Sequence, residues 1–438
     1  MPDRRFVSTR AGAPAVTLGE AIRRGLAPDG GLYVPERLPE LAAAAFAGLT
    51  RLPDLARAAL GAFFEGDPLR TELGAIADAA LDLPAPTTRV EACADPLFAL
   101  ELFHGPTAAF KDFGARFLAE SLERLEAATT PDAAPLTILV ATSGDTGGAV
   151  AAAFHRRPWV RVVILYPKGL VSPRQEQQLT CWGANVTSLR IDGTFDDCQR
   201  LVKEAFLDPA LAGRHRFSSA NSINIGRLLP QMVYYIASSL DIERRTGSPA
   251  SYIIPAGNLG NAFAAVWARA LRFPIDRILL AHNSNRTVPE FLETGLWRPR
   301  PSVATLASAM DVGNPSNMER LRALFPAIGD LRMRLSAESV DDATIRHRIR
   351  EDDMEFGRVW CPHTATAAEV YRRLPAALRR ERPWVVVATA HPAKFNEIVE
   401  PLLGRTVDVP DSLGRLLRLP RTFRDVAPTL EALAAALE

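Results

Sequence analysis

Seven apolar runs stand out along the chain, at residues 97–103, 136–141, 160–167, 185–191, 251–255, 277–283 and 384–390. Several, such as LTILVA and VRVVILYP, are continuous rather than alternating. That pattern predicts strands buried on both faces of a parallel sheet. Between the runs the apolar spacing changes to that of helices. AAFKDFGARFLAESLERLEAA (108–128), AAAF (151–154), FDDCQRLVKEAF (195–206) and AFAAVWARALR (262–272) all show it. Strands alternating with helices indicate sheets covered on both sides. The chain before about residue 90 is different. It is rich in Ala and Leu, with helical spacing at 18–24 and 55–64. DGGLYVPERLP at 29–39 reads as a turn, a short extended piece and a second turn.

The pattern predicts an α/β protein with two parallel-sheet lobes behind a mostly helical N-terminal region. The boundaries fall at 1–95, 96–245 and 246–438, and 438 residues suit two or three domains. A net charge of +1 supplies no broad positive field for nucleic acid or an anionic membrane surface. No run of 18 apolar residues exists to span a membrane. The start, MPDRRFVSTRAG, lacks the apolar stretch of a secretory signal, so the cytoplasm is the expected compartment. Cys93, Cys181, Cys198 and Cys361 form no CxxC pair, which argues against a disulfide scaffold or structural zinc. The seven histidines form no HExxH, so no metal is expected, and no GxSxG elbow points to a serine hydrolase.

One count sharpens the search for chemistry. Of 51 basic residues only Lys111, Lys168, Lys203 and Lys394 are lysine. Arginine stays charged, whereas lysine can lose its proton and act as a nucleophile. Lys111 lies between Phe110 and Phe113 near a helix start. A low dielectric and the positive helix end both disfavour an ammonium there. Lys203, beside Glu204, reads as solvated. Lys168, in YPKG after a strand, reads as a turn residue or a secondary anion contact. Lys394, in TAHPAKF, is the rival to Lys111 but reads as a surface helix lysine.

Two turns between strand and helix, 142–148 (TSGDTGG) and 257–261 (GNLGN), would expose backbone N–H groups to an anion. Neither spacing is GxGxxG or GxxxxGK[ST], so a substrate carboxylate suits the first better than a nucleotide. Asp145 within it would suit an amine or hydroxyl. The segment SANSINIGR (219–227) gathers amides, hydroxyls and a guanidinium fit for phosphate or carboxylate. Thr389 could offer its hydroxyl to a neutral ring nitrogen. Each feature alone also reads as a plain turn, a helix cap or a solvated face. Together they set an amine, two anion cradles and a hydroxyl at strand ends, where open parallel sheets bind ligands. That set suits a phosphorylated aldehyde held as an imine, namely pyridoxal phosphate.

At these residues the chain resembles the threonine synthases, pyridoxal-phosphate enzymes of the tryptophan-synthase-β fold type (fold type II). The resemblance runs through STRAG, LGEAIRRGLAPDGGLYVPERLP, ELFHGPTAAFKDFG, ATSGDTGGAV, ILYPKGLVSPRQEQQ, SANSINIGRLLPQ, AMDVGNPSNMERL and TAHPAKF. It implies that Lys111 carries the cofactor. It implies a phosphate cradle at Gly257, Asn258, Leu259, Gly260 and Asn261, and a ring-nitrogen hydroxyl at Thr389. Ser143, Gly144, Asp145 and Thr146 would form the substrate loop. The substrate phosphate is expected at Asn221, Ser222, Asn224 and Arg227, with Lys168 as a further contact. The family commonly reads Ser-Gly-Asn-Phe-Gly-Asp at the phosphate loop, whereas this chain reads Ala256-Gly-Asn-Leu-Gly-Asn261, lacking a hydroxyl donor and an aromatic. The implied reaction converts O-phospho-L-homoserine and water to L-threonine and phosphate, the last step of threonine biosynthesis. The alternative is a phospholyase that gives a 2-oxo acid from an amino-acid phosphate. The expected partner is a small-molecule substrate, in a monomer or homodimer.

Overall fold

The computed structural model describes residues 4–127 and 134–438. Ala128, the end of the helix expected at 108–128, lies outside the described residues, as do residues 1–3 of the N-terminal region. The strands in chain order are β1 (Phe6–Ser8), β2 (Tyr33–Pro35), β3 (Thr87–Arg89), β4 (Leu97–Glu101), β5 (Leu136–Ala141), β6 (Val160–Pro167) and β7 (Val186–Ile191). They continue with β8 (Arg216–Ser219), β9 (Ala250–Pro255), β10 (Ile275–His282), β11 (Leu335–Ser339), β12 (Trp384–Ala388) and β13 (Arg424–Val426). Two sheets organise the molecule. The smaller has the order β13-β7-β6-β5-β8 and is parallel throughout. The larger has the order β11-β10-β9-β12-β4-β3, parallel except for β3 against β4. β1 and β2 form a separate antiparallel pair.

All seven apolar runs become strands, for a visible reason. In β5, Leu136, Ile138 and Val140 join one apolar cluster while Leu139 and Ala141 join another. In β12, Val385 and Val387 face one cluster, and Trp384, Val386 and Ala388 the other. Alternate residues of one strand thus enter two cores, so apolar residues are favoured at successive positions rather than at every second one. Each such buried side chain stabilises by about 1.5–3 kcal/mol.

The two sheets are not the two stretches of sequence, which corrects the boundaries at 96–245 and 246–438. β4 lies in the first stretch but pairs with β12 in the larger sheet. β13 lies in the second stretch but pairs with β7 in the smaller sheet. The final helix, Leu430–Leu437, packs against helix Phe195–Leu207 beneath that same sheet. An apolar run states that a strand is buried, and carries nothing about which neighbour buries it.

The N-terminal region contains helices Leu18–Arg24, Leu52–Leu60 and Leu73–Leu81, beside the β1–β2 pair. Leu18–Arg24 and Leu73–Leu81 pack on helix Lys111–Ala127, and Leu52–Leu60 on helix Gln231–Thr246. No helix among the described residues is long and apolar enough to cross a membrane.

Candidate active site

The exits of β4, β5, β9 and β12 meet around a cleft that is partly open to solvent. Lys111, Asn221, Arg227, Gly257 and Thr389 all line it. Lys111 is the first residue of helix Lys111–Ala127. Asp112 closes the preceding loop by accepting from Thr107 N at 2.9 Å and Thr107 Oγ1 at 2.7 Å. The loop is also stitched to the exit of β12. Phe110 N donates to the Thr389 carbonyl at 2.8 Å, and His391 N to the Ala108 carbonyl at 3.0 Å. Lys111 Nζ lies 5.7 Å from the centre of the Phe110 ring, whereas Phe113 turns away to meet Tyr234 edge-on. Burial lowers the Lys111 amine to about 8; Asp145 opposes that, and the positive charges of Arg227 and Lys394 add to it. At pH 7 about a tenth of the amine is therefore neutral, against well under a thousandth for an ordinary lysine.

The turn after β5 is built on Gly144, whose φ of 131° disfavours any side chain. A Cβ there would stand 2.5 Å from the Gln175 amide. Thr142 Oγ1 accepts from the N–H groups of Gly144 at 3.0 Å and Gly147 at 2.9 Å. Thr142, Ser143, Asp145 and Thr146 line the cleft. Asp145 is buried, and burial would raise it. Lys394, then Lys111 and His363, outweigh that and hold it well below the usual carboxylate range.

The turn after β9 ends on Leu259 at φ 64°, ψ 4°, just before helix Gly260–Ala270. Asn258 is engaged by its neighbours: its Oδ1 accepts from Ser316 Oγ at 3.3 Å and its carbonyl from Asn317 Nδ2 at 2.9 Å. Asn261 Oδ1 accepts from the hydroxyls of Tyr234 at 2.6 Å and Tyr235 at 2.8 Å. Its Nδ2 is buried and has no partner. A Cβ on Gly257 would meet Met310 Cα at 3.0 Å, so backbone alone fits that wall.

The segment after β8 divides. Asn221, Ser222 and Arg227 line the cleft. Arg227 donates to the Ala220 carbonyl, and its Nη2 to the Lys111 carbonyl at 3.5 Å, leaving Nε unpartnered. Burial lowers it to about 10, still a cation at neutral pH. Asn221 Oδ1 is likewise buried without a partner. Asn224 is a correction. It caps the short helix Ile225–Leu228 by accepting from Gly226 N at 2.9 Å and donating to the Ile22 carbonyl at 2.9 Å. Its polar atoms are spent within the fold, and it does not line the cleft.

Lys168 is a second correction. It is half exposed at the end of β6, 4.0 Å from Asp192, and does not line the cleft. Lys394 is a third: it is fully buried, within 2.8 Å of both Asp145 Oδ1 and the Thr107 carbonyl. The reading as a surface helix residue failed because both partners are distant in sequence.

The motifs also left out His363, which lines the cleft and accepts from Ala309 N through Nε2 at 3.0 Å. Burial lowers its ring to about 4, so it is neutral. It thereby holds the wall formed by Ala309 and Met310. Gln175 and Gln178 were missed too. They donate to Asp145 Oδ1 and to the Thr107 carbonyl, each at 3.0 Å. The motif LVSPRQEQQ contains both, but nothing local shows which loops they reach.

Comparison with known proteins agrees along the whole chain. Residues 81–390 match the pyridoxal-phosphate dependent enzyme family, 5–81 the threonine synthase N terminus and 364–437 the threonine synthase C-terminal model. Threonine synthase of Escherichia coli K12 is 42% identical over 422 residues, covering 95% of each chain. A crystal structure of threonine synthase from Escherichia coli superposes with a TM-score of 0.88 at 37% identity, covering 99% of each chain. A pyridoxal-phosphate-bound threonine synthase from Brucella melitensis gives 0.88 at 32% identity over 99% of each chain.

Proposed function

The chain belongs to the pyridoxal-phosphate-dependent enzymes as a member of the threonine synthases, and from that membership we propose which of its residues serve the reaction and on which substrate. The cleft fits the cofactor on its own evidence. Asn261 Nδ2 is a buried donor without a partner, the Gly257 wall admits only backbone, and helix Gly260–Ala270 begins there. Asn261 and the turn 257–260 would hold the cofactor phosphate, Lys111 its aldehyde carbon, and Thr389 its ring nitrogen. When bound, the conjugated ring supplies a sink for the negative charge left on a substrate carbon that loses its proton.

The substrate we propose is O-phospho-L-homoserine, with L-threonine and phosphate as products. Arg227, Asn221 and Ser222 would take its phosphate, because a buried guanidinium with an unpartnered Nε beside an amide and a hydroxyl suits a dianion. The N–H groups of the 143–146 turn would take its carboxylate. Once its amine is free, Lys111 moves protons at Cα and Cβ. A group near pKa 8 can both accept and return a proton at neutral pH. Neutral His363 keeps the Ala309 wall in place without adding charge. Water is the second reactant and would add at Cβ after phosphate leaves Cγ. The compartment we propose is the cytoplasm, where the four free cysteines would stay reduced.

The single observation that carries this reading is the amine of Lys111 held near pKa 8 in the same cleft as the unpartnered Asn261 and Arg227 donors. Borohydride treatment of the cofactor-loaded protein, followed by peptide mapping, should fix the cofactor to Lys111 and to no other lysine. Incubation with O-phospho-L-homoserine should yield threonine and phosphate in equal amounts. Formation of 2-oxobutyrate without threonine would instead mark a phospholyase.

A further inference from the structure

Lys394 takes no part in the reaction as derived above, yet its side chain is 0% exposed. Its Nζ donates to the Thr107 carbonyl at 2.8 Å and lies 2.8 Å from Asp145 Oδ1. These partners belong to different loops. Thr107 sits in the loop that delivers Lys111, and Asp145 in the turn after β5. Lys394 itself follows β12, whose exit bears Thr389. Helix Pro173–Thr180 backs both contacts, since Gln178 reaches the same carbonyl and Gln175 the same carboxylate oxygen. Ser172 Oγ also donates to the Lys394 carbonyl at 3.1 Å, fixing the backbone that presents the ammonium.

A buried ion pair adds little net stability, because desolvation offsets the attraction. Well-packed apolar residues would join these loops equally well. A charged pair adds something that apolar residues cannot: it engages the carboxylate that faces Lys111. We infer that Lys394 is a positioning residue for the reaction, one ammonium that fastens the substrate turn to the lysine-bearing loop and shares the Asp145 carboxylate, so that it does not serve the Lys111 amine alone. The inference rests on Lys111 being the amine that takes the cofactor.

The charged and titratable groups around this cluster come from several elements. Asp145 and Arg227 act on Lys111 together with Lys394. Asp112, His363 and His391 also feel the Lys394 charge. Burial lowers both rings to about 4, so neither carries charge at neutral pH. Asp112 is already committed to Thr107. Asp145 is therefore the carboxylate left for Lys111 if Lys394 loses its charge.

The test follows uptake of pyridoxal phosphate by the full-length, cofactor-stripped chain as a function of pH, read by absorbance. In Lys394→Met the lone Asp145 carboxylate should move the uptake midpoint up by about 1–3 pH units and raise KM for O-phospho-L-homoserine. In Lys394→Met with Asp145→Asn the midpoint should fall back to the wild-type value or below, because no carboxylate remains. If Lys394→Met alone does not fold, Asp145→Asn and the double variant decide. The single change leaves the Lys394 charge near Lys111, so its midpoint should lie below that of the double. An unmoved midpoint in folded Lys394→Met overturns the inference, as does a midpoint shared by Asp145→Asn and the double variant. Borohydride mapping of the wild type separates the two ideas. Label on another lysine removes the Lys111 reading itself, whereas label on Lys111 with unmoved midpoints removes only the role of Lys394.

Discussion

Replacing Asn261 with Ala tests whether the turn after β9 is held from beneath. Asn261 Oδ1 accepts from two buried phenols, Tyr234 at 2.6 Å and Tyr235 at 2.8 Å. Tyr234 keeps a second partner, Gln231 Oε1 at 3.1 Å. Tyr235 donates to Asn261 alone and is 0% exposed. Losing the Tyr234 bond costs about 0.5–1.5 kcal/mol, and leaving the Tyr235 hydroxyl buried and unpaired about 1–3 kcal/mol. Asn261→Ala should therefore destabilise the cofactor-free chain by about 1.5–4.5 kcal/mol, read from urea unfolding. Most of that should come from one hydroxyl. Tyr235→Phe in the Asn261→Ala background should recover about 1–3 kcal/mol, because it removes the stranded group. In the wild-type background the same change should cost up to about 1.5 kcal/mol. The four chains form a cycle. If their effects add to within about 0.5 kcal/mol, the two residues are uncoupled and the support inferred for this turn is wrong. Cofactor affinity, measured on the same variants, should fall with Asn261→Ala and stay low after Tyr235→Phe, because the free Nδ2 donor is not restored.

The Lys111 amine, lowered to about 8, sets the pH dependence of cofactor uptake: below about 8 the uptake rate should rise about tenfold per pH unit and then level off. The same shift makes the unfolded chain bind more protons between about 8 and 10.5, so this residue's contribution to stability should rise with pH across that window and be least favourable below it; a rate profile flat from pH 6 to 9 would contradict this. Gly114→Ala would set a Cβ 2.6 Å from the Arg227 carbonyl and 2.9 Å from Arg227 Nε. It should cost about 1–3 kcal/mol and weaken substrate phosphate binding, seen as a raised KM; wild-type behaviour would show that Arg227 can shift freely. Leu259→Gly relieves a left-handed residue, worth about 1–2 kcal/mol, but removes a side chain only 2% exposed, worth about 2–5 kcal/mol. Thermal melts should show net destabilisation, and a stabilised variant would mean that backbone strain dominates this turn.

What could be read in the sequence follows from what is local. β5, β6, β9 and β12 were legible because burial on both faces leaves a mark on every residue. β8 (RFSS) and β11 (LSAES) carry no such mark, since each is polar at half its positions or more and takes its place by pairing with β5 and β10. Lys111 could be singled out because its helix start and aromatic neighbour adjoin it in sequence. Lys394 could not, because a buried ammonium is recognised by its partners, and Thr107 and Asp145 lie far up the chain. Asn224 shows the converse. An asparagine before Ile-Gly can bind a ligand or cap a helix, and only the Ile22 carbonyl, supplied by the N-terminal region, decides for the cap.

The threading of the sheets bears on how the cleft works. Had the lobes been continuous in sequence, Lys111 would belong to the same body as the 142–148 turn. Instead β4 runs in the larger sheet beside β12, and the loop between β4 and Lys111 is bonded to Thr389 and His391. Helix Lys111–Ala127, however, packs against helix Asp145–Phe154 of the smaller sheet. Lys111 therefore stands where the two bodies join, with its approach fixed to one and its helix to the other. Relative movement of the sheets would carry the 143–146 turn toward or away from the turn 257–261 while leaving the amine beside the exit of β12. In that geometry closing the cleft need not disturb the Lys111 amine. The buried contacts of Lys394 to Thr107 and Asp145 are where such movement would be limited.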